Sequence, residues 1–127
     1  MIYVEQPNWS TGCGIAVMAM LRYSDYEKTK VWVLDNSFCN PALLVNLEQM
    51  RNAIKLIYGV SELKYQNTNN DKFDESQNYV CHGRWDDAKS GDRHWIICYQ
   101  RKYYDPVTGV LSEIPSDFHI TQVFPIP

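Results

Sequence analysis

Residues 13–23, with the sequence CGIAVMAMLRY, decide the fold of the first half of the chain. The apolar residues of this stretch are continuous instead of recurring every three or four positions. Its two alanines and two methionines favour helix over strand. We therefore predict a helix that is buried on nearly every side. The residues before it, 1–12, are expected to be extended and to end in a loop.

A second, amphipathic helix is predicted further along the chain. Asn40 and Pro41 offer an N-cap residue followed by proline at the first helical position. Gly59 is a candidate C-cap. Between these ends the apolar residues recur at helical spacing: Leu43, Leu44, Leu47, Met50, Ile54 and Ile57. Between the two helices, residues 31–35 fit either a short strand or part of another helix.

The hydrophobic pattern changes to that of strands in the second half. Residues 64–78 are polar and are predicted to form an exposed loop. Strands are then predicted at residues 79–85, 94–99, 103–106, 110–114 and 121–126, with turns at 86–92 and 107–109. Helices followed by an antiparallel sheet indicate the α+β fold class.

Length and composition bound the possible functions. A chain of 127 residues with 45% hydrophobic and 21% charged residues is expected to form a single domain, residues 1–127, and not a disordered or fibrous protein. The formal charge of −3 and the scattered Lys and Arg residues argue against nucleic acid as a partner. No apolar run approaches the roughly 18 residues of a membrane helix, so no membrane partner is expected.

The cysteines and the N-terminus bear on the compartment. Four cysteines, Cys13, Cys39, Cys81 and Cys98, contain no Cys-x-x-Cys pair and are predicted to be free thiols in a reducing environment. Residues 1–5 lack the basic and long apolar regions of a secretory signal. We expect the protein to be cytoplasmic, or exported by a route that needs no signal peptide.

Cys13 is the candidate nucleophile. It lies between Gly12 and Gly14, where a loop meets the first turn of the buried helix. A helix N-terminus favours a thiolate, and the glycines allow a substrate to approach closely. The alternative interpretation is an ordinary buried cysteine.

His94 and Asp105 are the candidate partners of this thiol. His94 opens an apolar strand directly after a turn, a position that suits a general base. Asp105 follows eleven residues later, on the returning strand of a hairpin. A two-residue loop at 99–100 or at 100–101 places both side chains on one face, whereas a three-residue loop would separate them. The alternatives are a surface histidine and an aspartate that merely begins a turn.

Gln6 is the candidate oxyanion donor. A side-chain amide upstream of the nucleophile can donate to a developing oxyanion, together with the backbone amide of Cys13. The alternative is a surface glutamine. Each of these four residues is a weak signal alone, and their order along the chain is the specific feature.

With that order, the chain resembles the papain-like cysteine peptidases, and most closely the bacterial peptidase domains that cleave double-glycine leaders from bacteriocin precursors, with their stand-alone relatives. The similar stretches are residues 6–23 (QPNWSTGCGIAVMAMLRY), 94–109 (HWIICYQRKYYDPVTG) and 111–118 (LSEIPSDF). Gln6 is one residue further from the cysteine than is usual in that family.

The resemblance implies a role for each candidate residue. Cys13 would be the nucleophile, His94 the general base and later the acid, Asp105 the group that orients His94, and Gln6 part of the oxyanion hole. The implied fold is papain-like, with a helical lobe that carries Cys13 packed on a lobe of antiparallel sheet. The site would lie in the cleft between the two lobes.

The function expected from this resemblance is a cysteine peptidase that needs no metal or cofactor and acts on a protein or peptide. A bacterial effector or toxin protease, with an activating, inhibitory or immunity protein as partner, is one form of it. The alternatives are another acyl-transfer enzyme (a deamidase, transglutaminase or amidase) and a non-catalytic peptide-binding domain on the same fold. A structural zinc site is a further alternative, with candidate ligands Cys39, Cys81, His82 and Cys98.

Substrate selection is expected at the rims of the cleft. The candidates are the loop 67–75 and the aromatic residues Trp9, Trp85, Trp95, Tyr103 and Tyr104. The alternative for most of them is ordinary packing in the core.

Overall fold

In the part of the chain that the structure describes, three helices precede six strands. The computed structural model describes residues 1–7, 11–86 and 93–127. The helices are α1 (Cys13–Arg22), α2 (Tyr26–Asp35) and α3 (Leu47–Tyr58). The strands are β1 (Gln66–Asn67), β2 (Asn78–Trp85), β3 (Arg93–Tyr99), β4 (Lys102–Asp105), β5 (Gly109–Leu111) and β6 (Phe118–Ile126). This is the α+β arrangement that the sequence predicts. None of the described helices has the length and apolar character needed to span a bilayer.

The six strands form one antiparallel sheet in the order β1-β6-β2-β3-β4-β5. Both faces of the sheet are covered. On β3, Trp95 and Ile97 pack with the helices, whereas Ile96 and Cys98 pack in a second cluster on the opposite face. Strand β3 therefore has an almost continuous hydrophobic run, because the side chains on both of its faces are buried.

Helix α1 is the most buried element. All residues from Gly14 to Leu21 are buried, as the continuous apolar run predicts. The helix ends where Tyr23 takes a left-handed conformation with a φ of 54°. Residues 31–35 belong to α2, so the helical alternative is the correct one. Asp25 is the N-cap residue of α2, because its side chain accepts a hydrogen bond from the Lys28 amide at 2.8 Å.

The predicted start of the amphipathic helix is wrong, although its end is right. Helix α3 begins after Asn46, whose side chain forms a capping box with Gln49, and ends at Gly59 with a φ of 65°. Asn40 and Pro41 lie in a loop instead. The Asn40 side-chain oxygen accepts from the amides of Ala42 and Leu44, at 2.9 Å and 3.0 Å.

A local turn therefore competes with the helix at Asn40. Leu43 has a φ of 64°, which no right-handed helix accommodates. The segment 40–46 is consequently an ordered loop. It lies beside the N-terminus of α1, with Val45 close to Gly14.

The predicted strands are present, with shifted ends. Strand β5 stops at Leu111, short of the predicted residue 114, and β6 begins at Phe118, before the predicted residue 121. The polar segment predicted as a loop contains the two-residue strand β1, which pairs with β6 through Gln66 and Val123. Asp86 lies in a turn, as predicted, and the rest of the predicted turn 86–92 falls outside the described residues.

The hairpin of β3 and β4 has the second of the two predicted registers. Tyr99 pairs with Lys102, and the loop consists of Gln100 and Arg101. Both loop residues have positive φ values, 49° and 64°, which is the signature of a two-residue turn whose twist matches the strands. If the same register is continued to the ends of the two strands, His94 and Asp105 lie on the same face of the hairpin.

Candidate active site

A cleft of about 700 Å³ lies where α1, the segment 40–47 and the strands β2 and β3 meet. Its lining combines apolar side chains with a few polar ones. Three of the four predicted site residues line it: Gln6, Cys13 and His94. Asp105 lies behind His94 and is fully buried.

His94 and Asp105 form the innermost polar pair. The Nε2 atom of His94 lies 2.8 Å from Oδ1 of Asp105, and the two residues are 5% and 0% exposed. Trp85 and Phe118 pack against the imidazole, with ring centroids 5.3 Å and 5.8 Å away. These rings keep water from the pair, so the hydrogen bond acts in a low-dielectric environment.

Asp105 is held in its ionised form by its hydrogen bonds. Burial alone would raise the pKa of this carboxyl, but hydrogen bonds from His94, Val107 and Thr108, with the charge of His94, lower it. The Val107 amide and the Thr108 hydroxyl donate to the two carboxylate oxygens, each at 2.9 Å. The carboxylate is thereby fixed in the orientation that faces His94.

The thiol of Cys13 interacts with the same imidazole. Burial by itself lowers the pKa of His94, but the hydrogen bonds to Asp105 and Cys13, together with their charges, raise it to about 9. Because Nε2 is bonded to Asp105, Nδ1 is the ring nitrogen left for the thiol. The site therefore favours a cationic imidazole beside Cys13 at neutral pH.

Two glycines shape the surroundings of Cys13. Gly12 has a φ of 94° and precedes α1 without a side-chain cap, so the amides of the first turn meet no capping side chain. A Cβ atom on Gly14 would lie 2.6 Å from Cγ2 of Val45 and 3.4 Å from Cδ1 of Trp95. Gly14 thus allows the segment 40–46 and Trp95 to close against the start of the helix.

Gln6 forms hydrogen bonds next to Cys13 and next to Asp105. Its side-chain amide donates to the carbonyl of Thr11 at 2.9 Å, next to the start of α1. Its backbone amide donates to the carbonyl of Pro106 at 3.0 Å, next to Asp105. The hydroxyl of Tyr3 also donates to the Asp105 carbonyl. The N-terminal segment therefore links the Cys13 helix to the β4–β5 turn.

Several site residues escaped the sequence analysis. The segment 40–47 forms one wall of the cleft, with its loop anchored by the indole N–H of Trp95, which donates to the Val45 carbonyl at 2.9 Å. His82 also lines the cleft, whereas the sequence suggested for it only a ligand role in the alternative zinc site. Thr108 lies in the turn after Asp105, and the aspartate and proline that begin this turn are typical turn residues.

The predicted rim residues divide into two groups. Trp85 and Trp95 line the cleft, whereas Tyr103 and Tyr104 are not among its lining residues. Tyr103 packs on the opposite face of the sheet, where its hydroxyl donates to Glu75. The described loop 67–75 does not contribute to the lining either. Trp9 lies outside the described residues.

The four cysteines are free. Cys81 and Cys98 are buried in the sheet, and burial raises the pKa of Cys98 to about 11. Cys39 belongs instead to the rim of the helical cluster. Within residues 1–7, 11–86 and 93–127, no three His, Cys, Asp or Glu side chains form a group that could hold a metal ion.

Comparison of the chain with family models, with curated proteins and with solved structures finds no match. The chemistry of the site is therefore judged from its own geometry. A thiol at a helix N-terminus meets a buried imidazole that a buried carboxylate orients, and this is an arrangement suited to nucleophilic catalysis.

Proposed function

We propose that the protein is a cysteine peptidase of papain-like arrangement, in which a helical layer carries the nucleophile and an antiparallel sheet carries the base. One observation supports this above all others: Cys13 and His94 line the same cleft, Cys13 interacts with the imidazole, and the imidazole is hydrogen-bonded to the buried Asp105 at 2.8 Å. An orienting carboxylate, a base and a nucleophile in that order are the elements of a catalytic triad.

The first half of the reaction forms an acyl-enzyme. The Cys13 thiolate, paired with the His94 imidazolium, attacks the carbonyl carbon of the scissile bond, and the C–O π electrons move to oxygen. The Cys13 amide and the Gln6 side-chain amide donate to this oxyanion. When the intermediate collapses, the C–N bond breaks and the leaving amine takes the proton of His94. A thioester and a neutral imidazole remain.

The second half releases the acid product. The neutral imidazole of His94 removes a proton from a water molecule, and the hydroxide attacks the thioester carbonyl. Collapse breaks the C–S bond and restores the Cys13 thiolate and the imidazolium. The net change is the addition of one water to one peptide bond, with no other reactant.

The activated thiol is tested by alkylation with iodoacetamide at pH 6, located by mass spectrometry. We expect Cys13 to react selectively, because the imidazole of His94 lies against its thiol and can take up its proton during the attack. Cys39 is the matched control, since it is also only partly buried and burial raises its pKa. In His94→Ala, labelling of Cys13 should fall to the rate of Cys39. Equal rates for both cysteines in the unmodified protein would contradict the proposal.

The reaction type is tested with unstructured peptides in ¹⁸O-labelled water. A peptidase adds one ¹⁸O atom to each new C-terminal carboxylate. A deamidase would add the label to a glutamate or aspartate side chain of an uncleaved peptide, and a transglutaminase would leave new amide bonds without it. The Cys13→Ala variant, which cannot form the thioester, is the control for contaminating peptidases.

A further inference from the structure

A second buried histidine lines the cleft and has no part in the triad. His82 is 6% exposed, and its ring lies 4.2 Å from that of Trp95. Trp95 in turn lies against Gly14, next to the nucleophile. His82 is therefore separated from the start of the Cys13 helix by a single indole ring.

The hydrogen bonds of His82 fix which nitrogen carries its proton. Nδ1 lies 3.1 Å from Oε1 of Gln122. An amide oxygen has no proton and can only accept a hydrogen bond. Nδ1 must then donate, so Nε2 has the lone pair. Within the part of the chain that the structure describes, no protein donor bonds Nε2.

His82 differs from His94 in charge. Burial is the main cause that lowers the pKa of His82 to about 4, and the nearby charges of Arg93 and His94 lower it further, against the opposing effect of the Gln122 hydrogen bond. The cleft thus has a cationic imidazole at the thiol and a neutral imidazole beside Trp95. Two groups of the same type whose pKa values are shifted in opposite directions usually serve different purposes.

We propose that His82 is a substrate-binding residue whose Nε2 atom accepts a hydrogen bond from a main-chain N–H of the bound peptide. The inference rests on the proposed function, because the occupant of the cleft is taken to be a peptide substrate. A cationic donor is disfavoured, because Arg93 and the His94 imidazolium lie on the same wall. A neutral main-chain amide meets no such repulsion, and every peptide supplies one.

The test uses acetyl-Leu-Ala-Leu-Ala chloromethyl ketone, which alkylates a nucleophilic thiol after its peptide has bound. Related probes each have one backbone N–H replaced by an ester oxygen. For the unmodified protein, one ester probe should alkylate Cys13 about five to ten times more slowly than the parent, as expected for one lost hydrogen bond. In His82→Phe, the parent should be slower by a similar factor, and that ester should have no further effect.

His82→Gln is the rescue variant, because the side-chain oxygen of glutamine lies near the position of Nε2 and should restore sensitivity to the same ester. His82→Met removes the acceptor with a flexible side chain, so that the comparison does not depend on one variant folding. Equal ester effects with and without His82 would overturn the assignment of His82. Iodoacetamide labelling separates the two proposals: if Cys13 is not selectively labelled in the unmodified protein, the peptidase proposal fails first.

Discussion

The Asp105 carboxylate accepts hydrogen bonds from a ring nitrogen, a backbone amide and a hydroxyl. A buried carboxylate needs this number of donors to remain charged. Its hydrogen bond is the largest of the effects that raise the pKa of His94 against burial, followed by the hydrogen bond and charge of Cys13 and by the charge of Asp105 itself. At the scale of single residues, the candidate site therefore depends on Asp105 and on the turn that follows it.

Replacing Asp105 by asparagine is expected to narrow the pH range of activity. The variant loses the carboxylate charge and weakens the hydrogen bond to His94, while the contribution of Cys13 remains, so the pKa of His94 should fall from about 9 toward 6.5. The alkaline limb of kcat/KM should move to lower pH by the same amount, and activity at its optimum should drop at least about 100-fold. The measurement is a pH–rate profile on a peptide substrate.

Thr108→Val is the control for this prediction. It removes one hydrogen bond from Asp105 but leaves the charge in place. We expect activity to fall about five-fold or less, with the alkaline limb near its original position. An unchanged limb in Asp105→Asn would mean that the carboxylate does not set the protonation of His94.

Much of the site could be predicted at this scale because its residues occur where local rules are strong. The length of the β3–β4 hairpin places Asp105 on the face of His94, and the glycines around Cys13 mark the start of a helix. Thr108 and His82 could not be predicted with equal force. Their importance depends on which side chains the folded chain places beside them, and a single sequence has no record of that.

At the scale of elements, the segment 40–46 is the least predictable part of the fold and forms one wall of the cleft. Asn40 with Pro41 and Asn46 with Gln49 are both acceptable helix starts. The structure has the later one, because Leu43 is left-handed and Trp95 holds Val45 against the sheet. Strand β1 was missed for a similar reason, since two polar residues become a strand only because the edge of β6 is available.

Trp95→Phe should destabilise the protein and loosen this wall. The variant removes the indole N–H that donates to the carbonyl of Val45, a residue that is only 9% exposed. We expect a loss of about 1–3 kcal/mol in the free energy of unfolding, together with a higher KM. Urea denaturation measures the change in the free energy of unfolding. Trp32→Phe is the control, because Trp32 packs on Phe38 and Arg22, away from the cleft; an equal loss there would argue against the anchoring role.

Gly14→Ala tests how tightly the loop and the helix are packed. Alanine is a better helix former than glycine by about 1 kcal/mol. The new Cβ would nevertheless lie 2.6 Å and 2.7 Å from Cγ2 and Cβ of Val45, so one of the two elements must move. We expect a net destabilisation of about 1–3 kcal/mol, measured by urea denaturation. A gain in stability would show that the segment 40–46 can move away from α1 without a cost in folding free energy.

At the scale of the whole molecule, the two cleft histidines give folding stability a maximum in pH. The pKa of His94 rises from 6.5 to about 9 on folding, so its contribution is complete below pH 6.5 and is lost as pH rises toward 9. The pKa of His82 falls from 6.5 to about 4, so its contribution is complete above pH 6.5 and is lost as pH falls toward 4. Each loss is on the order of 3 kcal/mol.

The measurement is the midpoint of urea unfolding between pH 4 and pH 9. We expect the midpoint to fall on both sides of about pH 6.5. His94→Phe should flatten the alkaline side alone and His82→Phe the acidic side alone, because each variant removes one titrating group. A midpoint that changes in the same way in both variants would contradict the assignment of the two slopes.

The distance along the chain between the members of the triad has a consequence for biosynthesis. Asp105 lies 92 positions after Cys13, so a ribosome that adds roughly 5–20 residues per second needs roughly 5–20 seconds to pass from one to the other. During that interval the Cys13 thiol has been made without the hairpin that carries His94 and Asp105. Under the proposed function, the triad is therefore incomplete in the nascent chain until Asp105 has been added.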